Sequence, residues 1–159
     1  MEELDFKALL GRFDKDGYTR GEQIILANYG TNQTLLTIIF GTPCEVKVIE
    51  QKLVNSGYIR QVHLICDGEI VCYASTVIPK ARNRADVIED ILAEKLGLGQ
   101  IVVSRAIANH RTILDIGHDR TSFWRTYAIE GLELYLEITE KFPREPFVTE
   151  GFIRGVRAW

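Results

Sequence analysis

The segment from Tyr58 to Pro79 constrains this chain more than any other. Tyr58, Arg60, Val62 and Leu64 take one parity and Ile59, Gln61, His63 and Ile65 the other, the period-two pattern of a β-strand. Asp67-Gly68 follows at once. That dipeptide is the strongest short hairpin signal, because both central turn residues must tolerate positive φ. The return strand is expected over Glu69–Ile78, closed by Pro79, which has no N–H for a ladder. A mid-chain antiparallel pair joined by so tight a turn argues against a regular βαβ architecture.

Around this hairpin the period changes. Phe6, Leu9, Leu10 and Phe13 fall three and four apart and predict an amphipathic N-terminal helix, with Gly11 weakening its end. Thr31-Asn32 offers caps for a second short helix over Gln33–Phe40, stopped by Gly41-Thr42-Pro43. Glu45–Leu53 is strand-like, with imperfect alternation. Val87, Ile88, Ile91, Leu92 and Leu96 form the stripe of a helix over Ala85–Leu96, which Gly97 stops. The last third is expected to be strands: Ile101–Ile116, interrupted near Ala108-Asn109, then Ser122–Ile129 and Leu132–Phe142, with Glu130-Gly131 turning between the last two. This order predicts an α+β fold, a single antiparallel sheet of about six strands with helices on one face.

With 159 residues, 46% apolar and 26% charged, the chain is expected to be one domain over residues 1–159, with a helical segment in 1–30 and a tail over 144–159. A net charge of −3 is too balanced for a nucleic-acid partner, which calls for a basic field. No apolar run approaches the ~18 residues of a membrane span, and Met1-Glu2-Glu3-Leu4-Asp5 is the wrong start for a secretory signal. Cys44, Cys66 and Cys72 contain no C-x-x-C pair. They fit neither a disulfide framework nor zinc, so a cytoplasmic setting is expected. A two-residue turn at Asp67-Gly68 would set Cys72 opposite His63, for which a half-buried cross-strand pair is a plainer account than metal or nucleophile chemistry. His110 and His118 match no compact ligand spacing, and no metal site is expected.

Two charges break apolar parity. Glu140 shares its side of the last strand with Leu132, Leu134, Leu136 and Ile138, and Arg60 shares its side with Tyr58, Val62 and Leu64. Both are therefore aimed at the core face. A charge buried without a partner costs several kcal/mol, so each needs water at a strand end, a structural counter-charge or a polar ligand. Other standard sites are missing. There is no G-x-x-x-x-G-K-S/T and no G-x-S-x-G, and Gly97-Leu98-Gly99 lacks the third glycine and preceding strand of a dinucleotide fingerprint. Asn32-Gln33-Thr34 fits a glycosylation sequon but lacks a secretory context. Trp124 is expected in the core, while Trp159 carries no signal.

Taken in order, these pieces resemble the chorismate lyase family, the chorismate–pyruvate lyases including their divergent archaeal and cyanobacterial branch. Tyr58-Ile59-Arg60-Gln61-Val62-His63-Leu64-Ile65-Cys66-Asp67-Gly68-Glu69, with Ala74-Ser75-Thr76-Val77-Ile78-Pro79, is similar to the family's R-E/Q-V/I-x-L, D-G turn and closing T-V-I/V-P. Leu98-Gly99 resembles its P-L-G turn, with Gly97 where proline stands. His110-Arg111-Thr112-Ile113-Leu114-Asp115-Ile116-Gly117 resembles T-R-x-x-x-x-I-G. Arg125-Thr126-Tyr127 followed by Ile138-Thr139-Glu140-Lys141-Phe142-Pro143 resembles the closing R-S/T-x … T-E-x-F-P hairpin. The likeness runs from Asn32 to Pro143. Besides Gly97 for proline and Gln33 for a methionine, the chain departs from the family in a shorter stretch between Thr34 and Arg60, a longer Ser122–Phe142 hairpin, and the tail to Trp159.

The resemblance implies a carbon–oxygen lyase without cofactor or metal, converting chorismate to 4-hydroxybenzoate and pyruvate in a site covered by helices. Arg60 and Glu140 would hold the aromatic acid, assisted by backbone groups at Leu98 and Gly99. Gln33 stands where the family often has a methionine near the ligand, and Thr34 follows it. Arg60 suits a carboxylate because guanidinium offers a planar fork. Glu140 would accept from the hydroxyl end or act as a base. Arg111 and Arg125 are secondary candidates for a second carboxylate, or else form ion pairs. The two N-terminal helices and Ala85–Leu96 are the expected covers, and a closed site predicts slow product release. Two alternatives remain. One is a non-catalytic aromatic-acid-binding domain related to regulator sensing domains; the other is a lyase for a related enolpyruvyl substrate. The first 30 residues, few and not basic, favour the enzyme over a regulator with a winged-helix DNA reader.

Overall fold

The Asp67-Gly68 turn forms with φ of 52° and 78° at its two residues and joins β2 (Gly57–Cys66) to β3 (Glu69–Pro79). The computed structural model describes residues 5–149; Trp159 and the rest of the tail beyond 149 lie outside them. Among the described residues, β1 (Cys44–Val54), β4 (Asn109–His118), β5 (Ser122–Gly131) and β6 (Leu134–Pro143) complete one six-stranded sheet in the order β1-β2-β3-β6-β5-β4. Every pairing is antiparallel. Two three-strand meanders thus meet along β3 and β6, leaving β1 and β4 at the edges. This is the α+β architecture expected.

Helices α1 (Phe6–Asp16), α2 (Arg20–Leu26) and α3 (Asn32–Phe40) precede the sheet. Between β3 and the far edge strand β4 lie α4 (Ala85–Leu92) and α5 (Leu98–Ser104), and α6 (Glu145–Thr149) follows β6. Leu9, Phe13, Ile25, Leu26 and Leu36 from the first three helices and Val87, Ile91, Ile101 and Val102 from α4 and α5 pack into one core with the strands. On β6, Leu134, Leu136, Ile138, Glu140 and Phe142 are buried in strict alternation, so one sheet face carries the core.

Several local expectations change. The N-terminal helix runs through Gly11 to Asp16, because Asp5 caps its start (Ala8 N–H to Oδ1, 2.7 Å) and Gly17 ends it at φ 73°. Its buried stripe is narrower than the sequence pattern: Leu9 and Phe13 are buried while Phe6 and Leu10 are exposed. Helix α2 was not expected, although Thr19 and Glu22 close a reciprocal capping box. Ile101-Val102-Val103 is helical, not extended. Gln100 caps the Gly97 N–H, and burial of Ile101 and Val102 overrides the strand preference of branched residues. Helix α4 stops at Leu92, four residues early, and Glu94 turns the chain at φ 57°.

Two registers also differ. Ile65 pairs with Ile70 but Leu64 pairs with Cys72, so Val71 is the extra residue of a bulge. Cys72 therefore faces Leu64, and His63 faces Tyr73 with ring centroids 4.9 Å apart. All three cysteines are buried and free, with Cys44 opposite Cys66. The β5–β6 turn falls at Leu132-Glu133, with Glu133 at φ 54°. Gly131 lies inside the strand, where a Cβ would sit 2.4 Å from the Ala108 carbonyl oxygen. Trp124 is half-buried on the other sheet face, against Gly117, rather than in the core. No described helix is long and apolar enough to cross a membrane, and among the described residues no three metal-ligating side chains gather.

Candidate functional site

Two cross-strand rows build the floor of a cavity. Val62, Ala74, Glu140 and Arg125 lie opposite one another across β2, β3, β6 and β5, and Arg60, Thr76, Ile138 and Tyr127 form the neighbouring row. Arg60 and Glu140 are thus two strands and one two-residue step apart, about 9.6 Å across and about 6.8 Å along the sheet at the backbone. The central strand carries only Ala74 and Thr76 between them, and these small side chains leave the floor open. The roof is the start of α3 (Thr31, Asn32, Gln33) and the start of α5 (Gly97, Leu98, Gly99, Gln100). Gly99 lets the two helix starts approach closely, since a Cβ would meet Thr31 Cγ2 at 2.5 Å and displace that methyl. The cavity, partly open to solvent, has a volume of about 90 Å³, several times the ~10–15 Å³ that one water needs.

Arg60 is 1% exposed. Its Nη1 donates to the Ile91 carbonyl at 3.1 Å and its Nη2 to the Leu96 carbonyl at 3.3 Å, while its buried Nε has no partner. Among the described residues no carboxylate lies at ion-pair distance from it. The early end of α4 supplies this arrangement: Ile91 lies in its last turn, and Leu96 follows the turn at Glu94. The negative end of a helix favours a cation. Burial pulls the guanidinium below its ordinary value, and the charge of Glu94 opposes that shift.

Glu140 is 6% exposed and fully engaged on one side. Its Oε2 accepts from Asn32 Nδ2 at 2.6 Å and from Arg125 Nε at 2.8 Å; its Oε1 accepts from the Tyr127 hydroxyl at 3.2 Å. Arg125 Nη1 donates to the carbonyls of Leu26 (3.1 Å) and Asn28 (2.6 Å) at the end of α2. Burial pulls the Arg125 guanidinium down, and the charges of Glu140 and Tyr127 outweigh it, leaving a net upward shift. Burial first, then the Glu140 charge, push the Tyr127 phenol up, so it stays a proton donor.

Of the residues singled out from sequence, Arg60, Glu140, Leu98, Gly99, Gln33 and Arg111 share the cavity wall. Arg111 is half-buried, donates to the Gly30 carbonyl at 2.8 Å and lies 5.9 Å from the Tyr127 ring centre. Thr34 does not join them; it is exposed on α3 and its hydroxyl bonds that of Thr31. Arg125 sits behind the wall as the partner of Glu140, with no place for a second carboxylate. Arg60 and Glu140 do not pair with each other. Sequence reading missed Asn32, taken only as a cap, and Tyr127. Tyr127 shares the inward parity of Phe123, Arg125 and Ile129, a pattern that could have flagged it. Among the described residues the wall therefore holds two arginines without carboxylate partners and one carboxylate neutralised from behind, a net positive lining suited to an anion with an apolar body.

No protein-family model matches the chain. It is 28% identical over 101 residues to a Methanocaldococcus jannaschii protein named "Putative lyase", a match covering 60% of this chain and 55% of that protein. The chain therefore spans about half the length of this curated relative.

Proposed function

We propose that the protein is a lyase that converts chorismate to 4-hydroxybenzoate and pyruvate. One observation carries the reading: Arg60 is a buried cation with no ion-paired carboxylate among the described residues, on the same cavity wall as Glu140. A buried guanidinium held only by carbonyls leaves donors for an incoming carboxylate. The motif resemblance and the relative's name support the same class.

In this reading Arg60 binds the ring carboxylate, and Glu140 accepts a hydrogen bond from the ring hydroxyl at the opposite end. Arg111, at the side of the cavity facing β4, takes the carboxylate of the enolpyruvyl group. The ring carbon–hydrogen electrons become ring π electrons as the ether carbon–oxygen electrons leave with the enolpyruvyl oxygen. The proton lost from the ring carbon is matched by the one the released enolate takes up, and the resulting enol tautomerises to pyruvate. These bond changes balance without oxidant or reductant, and aromatisation drives them. The protein contributes orientation and positive charge near the departing oxygen in a water-poor site.

Incubation of the purified protein with chorismate is expected to release pyruvate and 4-hydroxybenzoate in equal amounts, measured by coupled assay and chromatography. Added 4-hydroxybenzoate should slow the progress curve, because the product keeps the Arg60 and Glu140 contacts. Binding of 4-hydroxybenzoate without chorismate consumption would identify a binding domain instead.

A further inference from the structure

The two oxygens of Glu140 are not equivalent. A carboxylate offers about four acceptor positions, two on each oxygen. Oε2 has both filled, by Asn32 Nδ2 and Arg125 Nε, while Oε1 has one filled, by the Tyr127 hydroxyl. One acceptor position is left, and it is on Oε1. Glu140 and Tyr127 both line the cavity, whereas Arg125 lies behind it. Tyr127 is itself anchored: it is buried, its ring lies 4.5 Å from the Arg125 guanidinium carbon, and it sits directly opposite Ile138.

We propose that Tyr127 is a positioning residue for Glu140: its hydroxyl occupies one acceptor position of Oε1, so that the remaining one is presented to a ligand hydroxyl in the cavity. Asn32 and Arg125 fix the plane of the carboxylate through Oε2, and Tyr127 fixes which direction on Oε1 stays open. The phenol acts through Glu140, not on the ligand. This inference rests on the functional reading above, since it assigns a role within the same site.

A mutant cycle tests it. The variants are Y127F, E140Q and the double variant, with calorimetric binding of 4-hydroxybenzoate and of benzoate, which lacks the hydroxyl, alongside chorismate turnover. Wild-type protein is expected to prefer 4-hydroxybenzoate over benzoate by about tenfold or more, as for one charge-assisted hydrogen bond. Y127F should shrink that preference severalfold, leave benzoate affinity within about twofold, and lower kcat by about tenfold with a smaller change in KM. In the E140Q background the same change should have no further effect on either ligand. Additive losses, or equal weakening of both ligands by Y127F, would make the tyrosine a packing residue and overturn the proposal. If wild-type protein binds neither acid and leaves chorismate intact, the functional reading itself fails, and this inference with it.

Discussion

Replacing Arg60 with methionine is expected to cut chorismate turnover steeply without loss of folding stability. The guanidinium is 1% exposed, has no carboxylate partner among the described residues and has an unbonded Nε. Methionine of similar reach fills the space without the several kcal/mol that desolvating an ion costs. The Ile91 carbonyl keeps a donor, since the Glu94 N–H also reaches it at 3.3 Å. Tm should therefore match or exceed that of the wild type. Losing one partner of a buried charge-assisted contact costs about 2–5 kcal/mol, or about 30- to 5,000-fold in kcat/KM. Arg60→Lys should fall between, because a point charge cannot bond two carbonyls and still present a fork. Calorimetry and steady-state kinetics on the same preparations check both halves. Near-wild-type kcat/KM in R60M would take Arg60 out of the site; a large fall in Tm would make its two carbonyl contacts structural. A residue that is costly to the fold and necessary to the reaction is the usual signature of a site selected for function.

Alternation alone turned Arg60 and Glu140 inward, and the floor of the cavity was legible that far. What each charge meets was not. The turn expected at Glu130-Gly131 would have set Arg125 opposite Leu136; the turn at Leu132-Glu133 sets it opposite Glu140. A misplaced turn thus hid the ion pair that neutralises the wall carboxylate Glu140. Gly131 misled because glycine serves close backbone approach as readily as turns, and its reason, the Ala108 carbonyl, lies on another element. The partners of Arg60 were illegible for a different cause. They are backbone carbonyls at and beyond the end of α4, and backbone groups leave no residue signature. Asn32 reaches Glu140 across 108 positions, a contact no local window contains. The run Ile101-Val102-Val103 failed through tertiary override, its branched residues held in a helix by burial against the core.

Arg125→Met should do the reverse of Arg60→Met and damage the fold first. Arg125 is 2% exposed and paired with Glu140 at 2.8 Å, and it also satisfies the carbonyls of Leu26 and Asn28. Its removal strands a buried carboxylate and two helix-end carbonyls. Breaking a buried pair from one side typically costs about 3–5 kcal/mol. At about 2–4 °C per kcal/mol for a chain of this size, Tm should fall by about 6–20 °C. The charge part is separable. In Arg125→Met/Glu140→Gln the amide oxygen still accepts from Tyr127 or Asn32, no unpaired charge is left, and more than half of the lost stability should return. The residue of the loss belongs to the Leu26 and Asn28 carbonyls, which only Arg125 reaches from β5. Urea denaturation of the wild type, both single variants and the double variant measures the coupling directly. Strong coupling means that the Arg125 charge serves to hold the Glu140 carboxylate in place. Simple additivity would mean that Arg125 acts as a brace between β5 and α2, and that Glu140 finds its counter-charge elsewhere in the wall.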